Sequence, residues 1–285
     1  MKDKAILYVG GGAMAGVFGA GIVTKLQEEN VYEKLSHVYG ASAGAFDIAC
    51  FLSKQTEKCS TIYWEDLIEG FIDVAKLPKA AINISLGRKK FPNIVNIDHL
   101  IRVIQTTKKL DLEEIRKSPI EARIKVYNLE SKKVEYLDLK EDTFQRLRES
   151  SSVVPYFYIN GQQNIDGDVL YPIGYDFLRK THPNQKIVFV LNHPIKIDRL
   201  DKLRYSLEGK LVSRMFGDSS LEEMFRRKVD VIKLEIEKIK SDKNSLLVIP
   251  PDSSPTSNLT TNPEKLKSTW KMGYDASKNI IKFLS

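Results

Sequence analysis

Ser42 stands at the centre of the pentapeptide Gly40-Ala41-Ser42-Ala43-Gly44, directly after the apolar pair Val38-Tyr39. A serine held on a sharp strand-to-helix turn needs glycine at Gly40 and Gly44, because a Cβ there would collide with the backbone of the turn. The pattern is typical of a nucleophile elbow. Such a serine can attack an acyl carbonyl when a base and donors for the oxyanion lie beside it.

Histidine is the usual base for a nucleophilic serine, and the chain has four: His37, His99, His182 and His193. Only the last two follow Ser42 in the order that the Ser, Asp, His triad of an α/β-hydrolase requires. His182 lies in a predicted turn and His193 stands just before Pro194, so we expect both to be structural. A Ser-His-Asp esterase is kept as an alternative.

A carboxylate offers the other route to a base. Ile165-Asp166-Gly167-Asp168-Val169 follows Ser151-Ser152-Val153-Val154-Pro155, and the sequence predicts a strand that enters a tight turn at Gly167. In isolation, an Asp-Gly pair is more often a plain hairpin turn. These residues alone therefore leave Asp166 as either a turn aspartate or a general base.

A glycine loop, Gly10-Gly11-Gly12-Ala13-Met14-Ala15-Gly16, lies between a predicted strand and a predicted helix. Free backbone N–H groups and the helix dipole make such a loop an anion site. Its spacing fits the GxGxxA form of a dinucleotide-binding loop, which also needs an acidic residue at the end of the second strand. That strand runs instead into Gly40 and Ser42, so an oxyanion hole is favoured over nucleotide binding.

Strands and helices that could position these residues alternate along the first part of the chain, which is typical of a parallel sheet flanked by helices. The predicted strands are Ala5–Val9, Ser36–Tyr39, the hairpin Ile124–Asn128 with Val134–Asp138, Ile187–Leu191 and Leu246–Ile249. The predicted helices are Gly16–Glu29, Ala43 to about Lys54, an amphipathic Leu221–Ile239 that should pack on the core, and a last helix ending near Leu284. Thr261 to Glu264 has the spacing of a capping box for that last helix.

The segment from Glu57 to Ser118 is irregular, with prolines and a basic-apolar stretch, Arg88-Lys89-Lys90-Phe91. Long irregular segments of this kind commonly form lids over active sites, so we expect a lid here.

In chain order, the glycine loop, the GxSxG pentapeptide, the serine pair ahead of a proline and the Asp-Gly pair resemble the patatin-like phospholipases. The similarity continues through Ile187–Pro194 and through Leu246–Asp275, which looks like the end of the small bacterial-type members. It implies a three-layer α/β/α fold with a mostly parallel central sheet. It also implies one domain over residues 1–285, with a catalytic core at about 5–195 and a C-terminal extension at about 196–285.

The same resemblance implies roles for individual residues. Ser42 would be the nucleophile, Asp166 its base in a Ser-Asp dyad, and Gly167 the turn of that dyad. The oxyanion hole would be formed by backbone amides near Gly11, Gly12, Ala13 and Met14. No histidine, metal or cofactor is needed, and the expected activity is that of a phospholipase A or lysophospholipase.

The glycine loop departs from the family pattern at two positions. Ala13 stands where a third glycine is usual, and Ala15 stands where an arginine or lysine is usual. Alanine can still donate its N–H, but it adopts fewer backbone conformations than glycine does. A catalytically weak lipid-binding module is therefore a second alternative.

Composition and charge limit the class of protein. The 285 residues can bury a substantial core, and 44 Lys and Arg against 37 Asp and Glu leave a net charge of +7 that favours an anionic surface. Charge alone fits an anionic bilayer or a nucleic acid, and the family resemblance implies a phospholipid or other acyl-ester lipid at a membrane surface, and not a nucleic acid, as the partner. Two cysteines indicate a reducing compartment. The uncharged stretch Ala5 to Thr24 contains six glycines, so we expect no signal peptide, no transmembrane segment and a cytoplasmic or peripheral membrane location. No oligomeric state is indicated.

Overall fold

A computed structural model describes residues 4–76, 78, 79, 82, 83, 93–159, 161–169, 172–194 and 199–285. The basic-apolar stretch Arg88-Lys89-Lys90-Phe91 lies outside these ranges, together with other parts of the expected lid segment.

A central sheet carries the fold, and seven strands belong to it within the described ranges. They are β1 (Ala5–Val9), β2 (Leu35–Gly40), β3 (Glu121–Asn128), β4 (Lys133–Asp138), β5 (Asn164–Asp166), β6 (Ile187–Val190) and β7 (Ser245–Val248). The order is β4-β3-β2-β1-β6-β7, with β5 paired to β3. Strands β3, β2, β1, β6 and β7 are parallel, whereas β4 and β5 run antiparallel to β3. The prediction of a mostly parallel sheet is confirmed.

Helices cover both faces of this sheet. They are α1 (Val17–Glu28), α2 (Ala43–Leu52), α3 (Thr56–Ser60), α4 (Ile62–Glu65), α5 (Ile97–Gln105), α6 (Leu112–Lys117), α7 (Thr143–Ser150), α8 (Tyr175–Thr181), α9 (Arg199–Phe216), α10 (Ser219–Ser241) and α11 (Pro263–Leu284). Helices α1, α2 and α11 share one apolar core with the sheet, and α8 and α10 share the core on the opposite face. This is the three-layer α/β/α arrangement that the resemblance implied. None of the helices within the described ranges combines the length and the apolarity that crossing a bilayer requires.

Alternation along the strands decides which side chains reach each face. In β1, Leu7 and Val9 point into the core that contains α1 and α2, whereas Tyr8 points into the opposite core. In β3, Val126 belongs to the first core, and the neighbouring Lys125 donates from its Nζ to the hydroxyl of Tyr8 at 2.9 Å. A lysine is thereby fully buried beneath the carboxyl ends of the central strands.

The start of the last helix differs from the sequence prediction. The expected capping box at Thr261 to Glu264 is wrong, because Asn262 is the N-cap of α11 and its side chain accepts from the backbone N–H of Lys265 at 3.0 Å. Pro263 occupies the first helical position, where a missing N–H costs nothing. Asparagine at the N-cap reaches the third amide of the helix directly.

Candidate active site

The elbow places Ser42 between β2 and α2 with φ of 52° and ψ of −124°. This is an unusual backbone conformation for a residue with a side chain, and it is held by the close packing of its neighbours. A Cβ on Gly44 would lie 2.1 Å from the carbonyl oxygen of Val9, and one on Gly40 would lie 2.7 Å from the Cα of Ala45. Only glycine fits at these two positions.

Ser150, at the end of α7, holds the elbow in place although it is not part of the pentapeptide. Its Oγ accepts from the backbone N–H of Ser42 at 3.0 Å and donates to the carbonyl oxygen of Lys125 at 3.0 Å. Sequence reasoning missed this residue and used its neighbours Ser151 and Ser152 instead. The run of three serines that begins at the last residue of a helix was the available signal, because a buried serine hydroxyl needs a hydrogen-bond partner.

The glycine loop presents its amides in two different ways. The N–H of Gly11 donates to Asp168 Oδ2 at 2.7 Å, and the N–H of Met14 donates to the carbonyl oxygen of Asn258 at 3.4 Å. Within the described ranges, no acceptor binds the N–H of Gly12 or of Ala13. Of the four amides expected near the oxyanion, these two adjacent ones are thus open to a ligand. Ala13 has φ of 45°, so alanine adopts the left-handed conformation that the loop requires.

Asn192, two residues after the end of β6, holds the glycine loop against α1. Its Nδ2 donates to the carbonyl oxygen of Gly10 at 2.7 Å, and its Oδ1 accepts from the backbone N–H of Gly19 at 2.9 Å. The side chain is 2% exposed, so water cannot replace either bond. Sequence reasoning missed Asn192, whose only signal was a polar residue at the end of an apolar strand.

Asp166 ends β5 with a buried carboxyl group. Its Oδ1 accepts from the backbone N–H of Asp168 at 2.8 Å, and its own N–H donates to the carbonyl oxygen of Ser152 at 3.1 Å. Burial, followed by the nearby charge of Asp168, raises the pKa of Asp166 from 3.8 to about 7. A carboxyl group in this range can take and return a proton near neutral pH.

The side chains of Ser42 and Asp166 are not hydrogen-bonded to each other among the described contacts. Catalytic hydrogen bonds in structures without substrate are often long and tighten in the complex. Gly167 keeps the turn after Asp166 close to β3, because a Cβ at this position would lie 2.6 Å from Lys125 Cγ and 3.0 Å from the backbone nitrogen of Val126.

A cavity of about 350 Å³ opens beside the elbow. Ser42 and Ala13 contribute to its wall, which is otherwise largely aliphatic and aromatic. Several apolar side chains come from the segment where a lid was expected: Tyr63, Leu67, Phe71, Ile94, Val95, Ile97 and Leu100. Arg204, Glu208 and Lys228 from α9 and α10 add charge to the same cavity. An acyl chain with a polar group near its ester fits this lining.

Of the two histidines considered as bases, His182 is buried among hydrogen-bond partners and His193 lies beside the glycine loop. His182 is buried, with its ring nitrogens 2.8 Å from the hydroxyl of Tyr39 and 2.9 Å from Gln185 Oε1, and its pKa is lowered by burial. His193 flanks the glycine loop, since a Cβ on Gly12 would lie 3.4 Å from its Nε2. The described residues contain no group of three or more His, Cys, Asp or Glu side chains arranged to hold a metal ion.

A family model for patatin-like phospholipases matches residues 7–178 of the chain. The crystal structure of VipD from Legionella pneumophila aligns with a TM-score of 0.52 at 15% identity, covering 98% of this chain and 67% of VipD. The type III effector protein ExoU aligns with a TM-score of 0.43 at 11% identity, covering 99% of this chain and 53% of ExoU. At these identities the likeness to VipD concerns the fold alone. No curated protein matches the sequence.

Proposed function

Since this chain belongs to the patatin-like phospholipase family, we propose that it hydrolyses the acyl ester of a phospholipid or lysophospholipid with a Ser42–Asp166 dyad. The observation that carries the proposal is the position of Ser42, held at positive φ on the wall of an apolar cavity of about 350 Å³. Family membership supports a lipid acyl hydrolase. The Ser42–Asp166 dyad and the phospholipase A type are proposed in addition, and the experiment below tests them.

In the proposed reaction, ionised Asp166 accepts the hydroxyl proton as Ser42 Oγ attacks the ester carbonyl carbon. The carbonyl oxygen becomes an oxyanion, which accepts hydrogen bonds from the backbone N–H groups of Gly12 and Ala13. Collapse of the intermediate breaks the ester C–O bond, and the proton on Asp166 passes to the leaving alcohol. Water then repeats these steps on the acyl-enzyme. One oxyanion donor of this kind contributes about 3 kcal/mol to transition-state stabilisation.

The departures at Ala13 and Ala15 are compatible with this chemistry. The hole needs backbone N–H groups, and Ala13 supplies one from a left-handed conformation. The backbone cost of that conformation is about 1 kcal/mol, which the packing around the loop must offset.

The charged side chains of the cavity support a phospholipid over a neutral ester. Lys228 and Arg204 line the cavity together with Glu208, which lies 3.7 Å from Arg204 Nε, so the two basic side chains outnumber the one carboxylate where a phosphate next to the ester would lie. The net charge of +7 would also favour approach to an anionic bilayer.

The test combines hydrolysis of a small panel of phospholipids and nitrophenyl esters with labelling by a fluorophosphonate probe. Wild type should release fatty acid and be labelled, and the Ser42→Ala and Asp166→Asn variants should lose both properties. Ser151→Ala is the matched control, because Ser151 lines the same cavity outside the elbow. An Asp166→Asn variant with wild-type activity would refute the dyad.

Two further outcomes separate the alternatives. Retained activity in His193→Ala is expected, and its loss together with a stable fold would favour a histidine base. A wild-type protein that binds phospholipid vesicles but is never labelled would be a catalytically weak lipid-binding module.

A further inference from the structure

Asp168 lies two residues beyond the proposed base, and its carboxylate binds the glycine loop. Oδ2 accepts from the N–H of Gly11 at 2.7 Å, and Oδ1 accepts from the hydroxyl of Tyr8 at 2.8 Å. A Cβ added at Gly11 would lie 3.2 Å from Asp168 Oδ2 and 3.0 Å from the Cβ of Ser42. The carboxylate therefore sits directly against the part of the loop that faces the nucleophile.

Lys125 holds this carboxylate in place. Its Nζ forms an ion pair with Asp168 Oδ1 and donates to the hydroxyl of Tyr8 at 2.9 Å. Burial, followed by the charge of Asp168, raises the pKa of Tyr8 well above its ordinary value, so the phenol keeps its proton and donates to Asp168. A buried lysine is tolerated when its charge is paired and its N–H groups are satisfied.

The backbone of Asp168 binds the other half of the site. Its N–H donates to Asp166 Oδ1 at 2.8 Å. One residue thus contacts the base through its backbone and the glycine loop through its side chain. Both contacts use oriented donors and acceptors that are partly buried, so displacing Asp168 would disturb the base and the loop together.

We propose that Asp168 is a positioning residue of the hydrolase site: together with Lys125 and Tyr8 it fixes the glycine loop, and its backbone N–H holds the carboxyl group of Asp166. The inference rests on the proposed Ser42–Asp166 function. It also offers a physical reason why the loop can lack a basic residue at Ala15. A carboxylate anchored by a lysine of β3 holds the loop from the sheet side.

Three charged groups act on Asp166. Burial is the largest cause of the raised pKa of Asp166, and the charge of Asp168 is the second; the hydrogen bond from the backbone N–H of Asp168, and then the charges of Lys228 of α10 and Lys125 of β3, lower this pKa. A unit charge about 10 Å away shifts a pKa by about one unit at an effective dielectric constant near 20. The two members of the Lys125–Asp168 pair therefore act on the base in opposite directions.

The experiment measures the rate of fluorophosphonate labelling of Ser42 against pH, which needs no lipid substrate. Asp168→Asn should move the acid limb of the profile to lower pH by about one unit, because a negative charge beside Asp166 is removed. Lys125→Met should move the limb to higher pH. The plateau rate should fall at least tenfold in Asp168→Asn, because an amide cannot satisfy the Gly11 N–H, the Tyr8 hydroxyl and the Lys125 ammonium together.

A double variant, Asp168→Asn with Lys125→Met, removes both members of the ion pair and should fold even where a single variant leaves one of them unpaired. Its acid limb should lie between the limbs expected of the two single variants. Lys132→Met is the control, because Lys132 is exposed and pairs with Asp218 at the surface, so the limb should not move.

The inference would be overturned if the acid limb of the labelling profile lay at the same pH in wild type and in Asp168→Asn. It would also be overturned if the acid limb moved in the same direction in both single variants. Either result would leave the dyad intact. Opposite shifts cannot arise from a general loss of folding, so they would support it. Absence of labelling in wild type would refute the proposed function and the inference together.

Discussion

The Asp166→Asn substitution should abolish activity and at the same time stabilise the protein above neutral pH. Asp166 has a pKa raised from 3.8 to about 7, chiefly by burial and secondly by the charge of Asp168. The unfolded chain therefore releases this proton near its ordinary value, whereas the folded chain keeps it until about pH 7. Between these two values folding binds a proton, so the free energy of unfolding falls as the pH rises. An uncharged amide avoids this loss.

The size of the effect follows from the shift. Each pKa unit corresponds to about 1.4 kcal/mol, so a displacement of roughly three units costs the wild type about 4 kcal/mol once both states are ionised. The variant should gain about 1 to 2 kcal/mol over wild type at pH 5 and about 4 kcal/mol at pH 8. The amide oxygen can still accept from the N–H of Asp168, so no hydrogen bond to the backbone is lost.

Urea unfolding of wild type and of Asp166→Asn between pH 5 and pH 8 would measure this difference. Ser42→Ala is the matched control, because it also removes the proposed activity but does not change a titrating group. A stability difference that stays constant across this range, or an Asp166→Asn variant that is less stable than wild type at pH 8, would refute the assignment of Asp166 as a buried carboxyl group with a raised pKa.

Three further changes test the framework around the site. Gly44→Ala places a Cβ 2.1 Å from the carbonyl oxygen of Val9, so thermal unfolding should show a loss of at least about 3 kcal/mol, and an unchanged melting temperature would contradict the elbow geometry. Asn192→Asp removes the donor to the carbonyl oxygen of Gly10, so the labelling rate should fall about 10- to 100-fold while the fold persists. Asp47→Asn should raise the free energy of unfolding at pH 8 and leave labelling unchanged, because burial raises the pKa of Asp47 and no described group binds its Oδ2. A fall in the free energy of unfolding would show that this carboxyl group is ionised and paired.

The fold was predictable where a local pattern reports a local structure. Strand β1 was predicted at its observed bounds, Ala5–Val9, and α2 begins at the predicted Ala43. Helix α9 was not predicted, and its exposed Leu203 and Leu207, at 58% and 53%, explain why. Apolar residues on the solvent side obscure the helical period from which a sequence prediction is made.

The lining of the cavity could not be predicted from the sequence, as the expected lid segment shows. Its apolar residues line the cavity beside Ser42, but their spacing gives no sign of which ones meet there. Side chains from α9 and α10, such as Arg204 and Lys228, reach the same cavity from more than 100 positions further along the chain than Tyr63. The lining of a cavity depends on long-range packing that single-sequence patterns do not carry.

By itself, the sequence determined the nucleophile elbow, the glycine loop and the alternation of strand and helix. These depend on backbone sterics and side-chain periodicity within a few residues, where glycine or a small residue is the only solution. Only the tertiary structure decided how the loop is held. The bonds from Gly11 to Asp168 and from Asn192 to Gly10 join residues 157 and 182 positions apart. Parallel strands bring such residues to one edge of the sheet, and it is the pairing of β1 with its neighbours that selects which polar groups meet there.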